Sequence, residues 1–215
     1  MLTRAFLCRH GEPEESIRGR ICGALDVGLS RTGRKQAQGL AAALAPASLA
    51  AVYSSPQRRA VETASAIAAA CRLAPVELEA LREIDFGVFE GLTYDEAAAR
   101  YPDVYREWME NPARVRFPGG ETYEDLRARV SEALDEILRR HEGRAFTVVA
   151  HGGVIRTVLA ISLEVPNGAI FRLDQGYGCV SVVDWLDGAP VVRLINVDAV
   201  PTTGGSPLSR LYSTA

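Results

Sequence analysis

Apolar and polar residues along this chain fall into runs that predict short buried strands separated by amphipathic helices. Ala5 to Cys8 is an unbroken apolar run, which fits a strand buried on both faces. It stops at the basic pair Arg9-His10, and Gly11 then allows a positive φ or a close approach to a ligand. Pro13 to Val27 is polar and aperiodic. Ser30 or Thr32 can cap a helix whose Ala37, Leu40, Ala41 and Leu44 recur at i, i+3, i+4 and i+7. Ala51 to Ser54 reads as a second strand. Ser55-Pro56 follows as N-cap and first position of a helix with Ala60, Ala64, Ile67, Ala68 and Cys71 on one face. A third short strand falls near Val76 to Leu78.

From Leu81 to Gly91 neither period dominates. Thr93-x-x-Glu96 is a capping box for a short helix, and a second short helix covers Val104 to Glu110. Pro112 to Gly120 reads as loop. Thr122-x-x-Asp125 opens the longest helix, with Leu126, Val130, Ala133, Leu134 and Ile137 inward and an end near His141 and Gly143. Phe146 to Ala150 is a buried strand joined by His151-Gly152-Gly153 to a helix over Val154 to Leu163. Cys179 to Trp185 and Val191 to Val197 flank Asp187-Gly188 as a terminal hairpin. The β-α-β-α order with a late β-α implies an α/β fold: a three-layer α/β/α sandwich on a mainly parallel sheet, with a small helical cap at about 93–120. One domain over 1–200 and a loose tail over 201–215, rich in Gly, Ser, Thr and Pro, complete the expected organisation.

Composition changes this picture only by exclusion. A formal net charge of -3 speaks against a nucleic-acid surface, which would carry a basic excess. No run of 18 apolar residues exists, so neither a membrane span nor a signal peptide is expected. Cys8, Cys22, Cys71 and Cys179 lack metal-ligand or CxxC spacing, so free thiols and a cytoplasmic location are expected.

Chemistry concentrates at two strand ends. His10 and His151 each follow an apolar strand and precede glycine, and His151 stands before a helix N-terminus suited to an anion. In open α/β sheets this edge is where ligands bind. His141, in the last turn of a long helix beside Arg139 and Arg140, is accounted for by the helix dipole. Arg59, early in the helix after the second strand, can point to the same edge; alone it could equally pair with Glu62 or Glu83. Together Arg9, His10, Arg59 and His151 would form a cationic nest for phosphate oxygens. A metal between the two histidines is disfavoured by the arginines, and no carboxylate spacing completes such a site. No metal and no cofactor is therefore expected.

Six blocks in order resemble the histidine phosphatase (phosphoglycerate-mutase-like) superfamily. They are Arg9-His10-Gly11-Glu12, Leu29-Ser30-x-x-Gly33-x-x-Gln36-Ala37, and Ser54-Ser55-Pro56-x-x-Arg59-Ala60-x-Glu62-Thr63-Ala64. Glu83-x-x-Phe86-Gly87-x-x-Glu90-Gly91, Pro118-Gly119-Gly120-Glu121 and Ala150-His151-Gly152-Gly153 follow. The resemblance implies that His10 is a nucleophile forming a phosphohistidine, that Arg9, Arg59 and His151 hold the phosphoryl oxygens, and that Glu83 is the proton donor. It adds Ser16, Cys22, Gly23 and Gly152 as substrate-binding positions. The chain departs from the pattern in carrying Glu15-Ser16 where Trp-Asn is common, and Cys22 where Gln or Thr often precedes the loop glycine.

The mutase branch carries a long basic insertion between acid and second histidine and usually Arg directly after the acid; here that position is Ile84. Arg114 and Arg116 are the best candidates for a second phosphate site. Length and the PGGE block look more like the small α-ribazole and phosphoserine phosphatases. A metal-independent phosphomonoesterase acting on a small phosphorylated metabolite is the resulting expectation. A cofactor-dependent phosphoglycerate mutase and a non-catalytic phosphate-binding regulatory domain are the alternatives. A homodimer through the hairpin's edge strand is a further option.

Overall fold

The computed structural model describes residues 1–199 and 207–212. A six-stranded sheet runs in the order β3-β2-β4-β1-β5-β6. β1 (Leu2–Arg9), β2 (Val52–Ser54), β3 (Pro75–Glu77) and β4 (Ala145–Ala150) are parallel, whereas β5 (Cys179–Leu186) and β6 (Ala189–Asp198) form the antiparallel hairpin. The expected mainly parallel α/β/α sandwich is the fold.

Strand alternation decides the layers, since successive side chains point to opposite faces. Ala5, Leu7, Tyr53, Phe146 and Val148 pack with α5 (Tyr123–Arg140) and α6 (Gly152–Ser162). Phe6, Cys8, Val52 and Val149 pack on the other face against α1 (Arg31–Leu44) and α2 (Arg58–Cys71). Ser30 caps α1, its Oγ accepting from Gly33 N–H at 2.9 Å. The capping boxes at Thr93 and Thr122 open α3 (Tyr94–Arg100) and α5 as their spacing required.

α2 begins two residues later than Ser55-Pro56 implies. Gln57 is its N-cap. Ser55 is drawn elsewhere, to a hydrogen bond with His151, and its hydroxyl also accepts from Gln57 N–H. A tertiary partner thus outbid the local cap.

The cap comprises α3, α4 (Pro102–Glu110) and the turn Gly87–Phe89. Phe86, Phe89, Tyr101, Trp108 and Phe117 meet ring to ring with centroids 4.9 to 5.9 Å apart, giving it an aromatic core. The tail expectation needs correction over 207–212. Leu208 is fully buried, α7 (Ser209–Tyr212) follows, and the Tyr212 O–H donates to Ala43 O at 2.7 Å. The remainder of 200–215 lies outside the described residues. Among the described residues no helix is long and apolar enough to cross a membrane.

Candidate active site

Parallel register brings the key strand ends together. Arg9 pairs with Ala150, and Ser54 with Val149, so β1, β2 and β4 finish at one edge. His10 N–H then donates to Ala150 O, and Ser55 N–H to Val149 O, both at 3.0 Å. His10 and His151 leave neighbouring strands, and their rings meet edge to face with centroids 5.0 Å apart. Gly11 serves a close approach, although to backbone rather than ligand: a Cβ there would lie 2.3 Å from Gly33 O.

The His10 ring is buried and held in one tautomer. Its Nδ1 lies 2.7 Å from Gly11 O, a carbonyl that can only accept, so Nδ1 carries the proton. Its Nε2 accepts from Arg59 Nε at 3.2 Å. Burial first, then Arg59 and Arg9, hold His10 well below the ordinary histidine range, so the ring is neutral with its Nε2 lone pair available. Burial, Arg59 and His10 depress His151 in the same way. His151 Nε2 lies 2.8 Å from Ser55 Oγ.

Two buried nitrogens beside His10 have no hydrogen-bond partner, Arg9 Nε and His151 Nδ1. Leaving such groups unpaired costs about 1–3 kcal/mol each, more for a charged one. Arg9 is positioned by stacking 3.9 Å above the Tyr177 ring and by donating to Gln175 O. Arg59 is committed twice more, to Leu25 O at 2.6 Å and Gly23 O at 2.8 Å, and so fastens the 22–25 loop over His10.

Glu83 reaches the same cavity from the turn after Leu81. Its Oε2 accepts from Gly153 N–H at 3.1 Å and its Oε1 from Ile84 N–H at 3.0 Å. A side chain at Gly153 would push the Glu83 carboxylate from this position, because a Cβ would stand 2.3 Å from Glu83 Oε1. Gln57, buried and unflagged by sequence, aligns the two loops: its Oε1 accepts from Glu83 N–H at 2.8 Å and its Nε2 donates to Gly23 O at 2.9 Å.

Of the remaining expected positions, Cys22 and Gly23 line the cavity. Burial pushes the Cys22 thiol up, leaving it a neutral wall. Gly152 lies beneath two guanidinium groups, its Cβ position 2.9 Å from Arg156 and 3.6 Å from Arg9. Ser16 is the exception. It is exposed on the short 3-10 turn Glu15–Ile17, whose buried member is Ile17, and it does not line the cavity.

The cavity, of about 200 Å³, continues from His10 past Glu83 to the cap aromatics. Sequence reasoning missed Arg156, Tyr123, Gln175 and Tyr177, each an isolated residue carrying no local pattern. Among the described residues no group of three or more His, Cys, Asp or Glu side chains is placed to hold a metal ion.

The signature of the histidine phosphatase superfamily (branch 1) matches residues 5–198. A bifunctional protein of Mycobacterium tuberculosis is 38% identical over 196 residues, 90% of this chain and 54% of that protein. The chain therefore spans about half the length of that relative. Phosphoserine phosphatase 1 of Hydrogenobacter thermophilus is 33% identical over 196 residues, covering 91% of this chain and 93% of its own. Among solved structures, a mycobacterial glucosyl-3-phosphoglycerate phosphatase superposes with a TM-score of 0.83 at 27% identity, covering 92% of this chain and 100% of its own.

Proposed function

The chain belongs to the histidine phosphatase superfamily (branch 1), and from that premise we propose that it hydrolyses a small phosphomonoester, without metal, through a phosphohistidine on His10. The observation that carries this reading is a neutral, buried imidazole whose Nε2 lone pair is engaged only by Arg59 Nε, beside unpaired buried nitrogens on Arg9 and His151. A tetrahedral oxyanion would satisfy those groups. Phosphoryl transfer needs positioning and neutralisation of spread charge more than covalent help, which fixed cations supply.

His10 Nε2 attacks phosphorus as the bond to the alcohol oxygen breaks. Arg59 Nε passes from Nε2 to a phosphoryl oxygen, and Arg9 and His151 hold the others. The Glu83 carboxyl gives its proton to the departing oxygen. As carboxylate it then takes a proton from the water that attacks the phosphohistidine, releasing inorganic phosphate and restoring both groups. Ile84, apolar and facing the cavity where the mutase branch has Arg, favours hydrolysis over mutase chemistry.

The test is turnover of p-nitrophenyl phosphate in excess EDTA, with a radiolabelled ester used to trap an acid-labile, alkali-stable adduct on His10. EDTA-resistant turnover with that adduct supports the reading. Loss of activity on chelation, or label on another residue, overturns it.

A further inference from the structure

Resting on that phosphatase reading, we infer that the alcohol half of the substrate is an aromatic or similarly bulky apolar group bearing an acidic substituent. Three exposed rings surround the cavity mouth, an arrangement that seldom goes unused on a soluble surface. Tyr94 is 51% exposed, Phe171 52% and Tyr177 37%. Tyr94 lies 5.7 Å from Trp108 at 12° between planes, so its ring continues the cap's aromatic core to the opening. Behind the rims, Phe86, Trp108 and Phe117 form an apolar wall. A sugar or serine alcohol would leave that wall in water, whereas a ring would cover it.

Two polar groups interrupt this wall, and neither has a charged partner. The Tyr123 hydroxyl is buried with no well-aligned hydrogen bond; the Thr157 hydroxyl is its polar neighbour and donates its own proton to Gly153 O at 2.8 Å. Arg156 donates its Nε to Leu173 O at 2.7 Å, its guanidinium stands 5.6 Å from the Phe171 ring centroid, and it forms no ion pair among the described residues. The charged groups that act on it most strongly are Arg9, Glu83 and Asp174. Both Glu83 oxygens already accept backbone N–H groups. A guanidinium without an ion-pair partner, beside the Phe171 ring, and a phenol in an aromatic chamber are recognition elements for a carboxylate or similar anion. At about 200 Å³ the chamber is smaller than the 300–1,000 Å³ of drug-sized sites, which fits a metabolite and not a folded phosphoprotein.

Matched esters separate these contributions from leaving-group chemistry. Phenethyl phosphate should exceed ethyl phosphate in kcat/KM by roughly tenfold or more, the usual worth of burying a ring. Tyr94→Ala and Phe171→Ala, which truncate exposed rings and spare the core, should each reduce that ratio. The phosphate of para-hydroxyphenylpropanoate should exceed that of para-ethylphenol by about tenfold, Arg156→Gln should remove the difference, and Arg156→Lys should restore part of it. Phosphoserine should be poorer than either aromatic ester. Ratios near one in the unsubstituted enzyme overturn this inference while leaving the phosphatase reading intact. No turnover of any ester, p-nitrophenyl phosphate included, overturns both.

Discussion

At the phosphoryl end of the cavity Arg9, His10 and His151 leave the ends of adjacent parallel strands, Arg59 the first turn of α2, and Glu83 the turn after Leu81. The alcohol end is walled by rings from a 3-10 turn, two short helices and a distant loop. The first end is cationic, buried and fixed by backbone register and hydrogen bonds; Arg59 alone makes three. The second is apolar and partly open, held by ring packing with few polar ties. Chemistry is thus assigned to the rigid sheet edge and selectivity to a region that can be repacked without disturbing it. That separation is testable from both sides.

The largest effect falls on His10, the proposed nucleophile. His10→Ala should lower turnover by at least about 10⁴-fold on every ester and abolish the trapped adduct, measured with p-nitrophenyl phosphate and the labelled substrate. Glu83 stands between the two ends, so its loss should depend on the alcohol. Glu83→Gln is expected to slow ethyl phosphate by about 10²–10⁴-fold and p-nitrophenyl phosphate far less, because nitrophenolate leaves without a proton. Equal losses on both would remove Glu83 from the proton-donor role.

Acid sensitivity should also reside at the phosphoryl end. His10 and His151 stay neutral in the fold below the pH at which an unfolded histidine protonates, about 6.5. Below that pH the unfolded chain binds protons that the folded chain refuses, so stability is present above it and lost as pH falls. The slope is up to about 1.4 kcal/mol per pH unit per histidine. Urea midpoints at pH 7.5 and 5.0 should show this loss, with His151→Gln showing less. The acid limb of kcat/KM should correspondingly lie below the ordinary histidine range.

The smallest effect isolates the cap. Phe89 is fully buried within the aromatic cluster and does not line the cavity. Phe89→Leu should cost about 1 kcal/mol by denaturant titration and lower the phenethyl-to-ethyl ratio. Vanadate inhibition should stay within about twofold. A large change in vanadate affinity would mean the two ends are coupled after all.

Sequence legibility follows the same division. β1, β2 and β4 announced themselves as apolar runs, and Ser30, Thr93 and Thr122 as caps, since those signals are local. Arg9, His10, Arg59, Glu83 and His151 stand in short blocks at strand ends or helix starts, where pattern and position coincide. Gln57, Tyr123, Arg156 and Tyr177 escaped because each becomes meaningful only when distant segments meet. Ser16 lies outside the cavity lining for the converse reason: the chain has the position, but burying Ile17 turns its neighbour to solvent. α2 takes Gln57 as its N-cap and not the local Ser55-Pro56 signal, and the Ser55 hydroxyl meets His151 from 96 residues away.

The carbonyl of Gly11 has an effect on how long a transferred group could stay. An imidazole that attacks through one nitrogen while the other keeps its proton must become an imidazolium, positively charged and an eager leaving group. By never releasing that proton, the Gly11 contact would make the proposed adduct an activated donor, primed to discharge to the next nucleophile that arrives, and unsuited to storage.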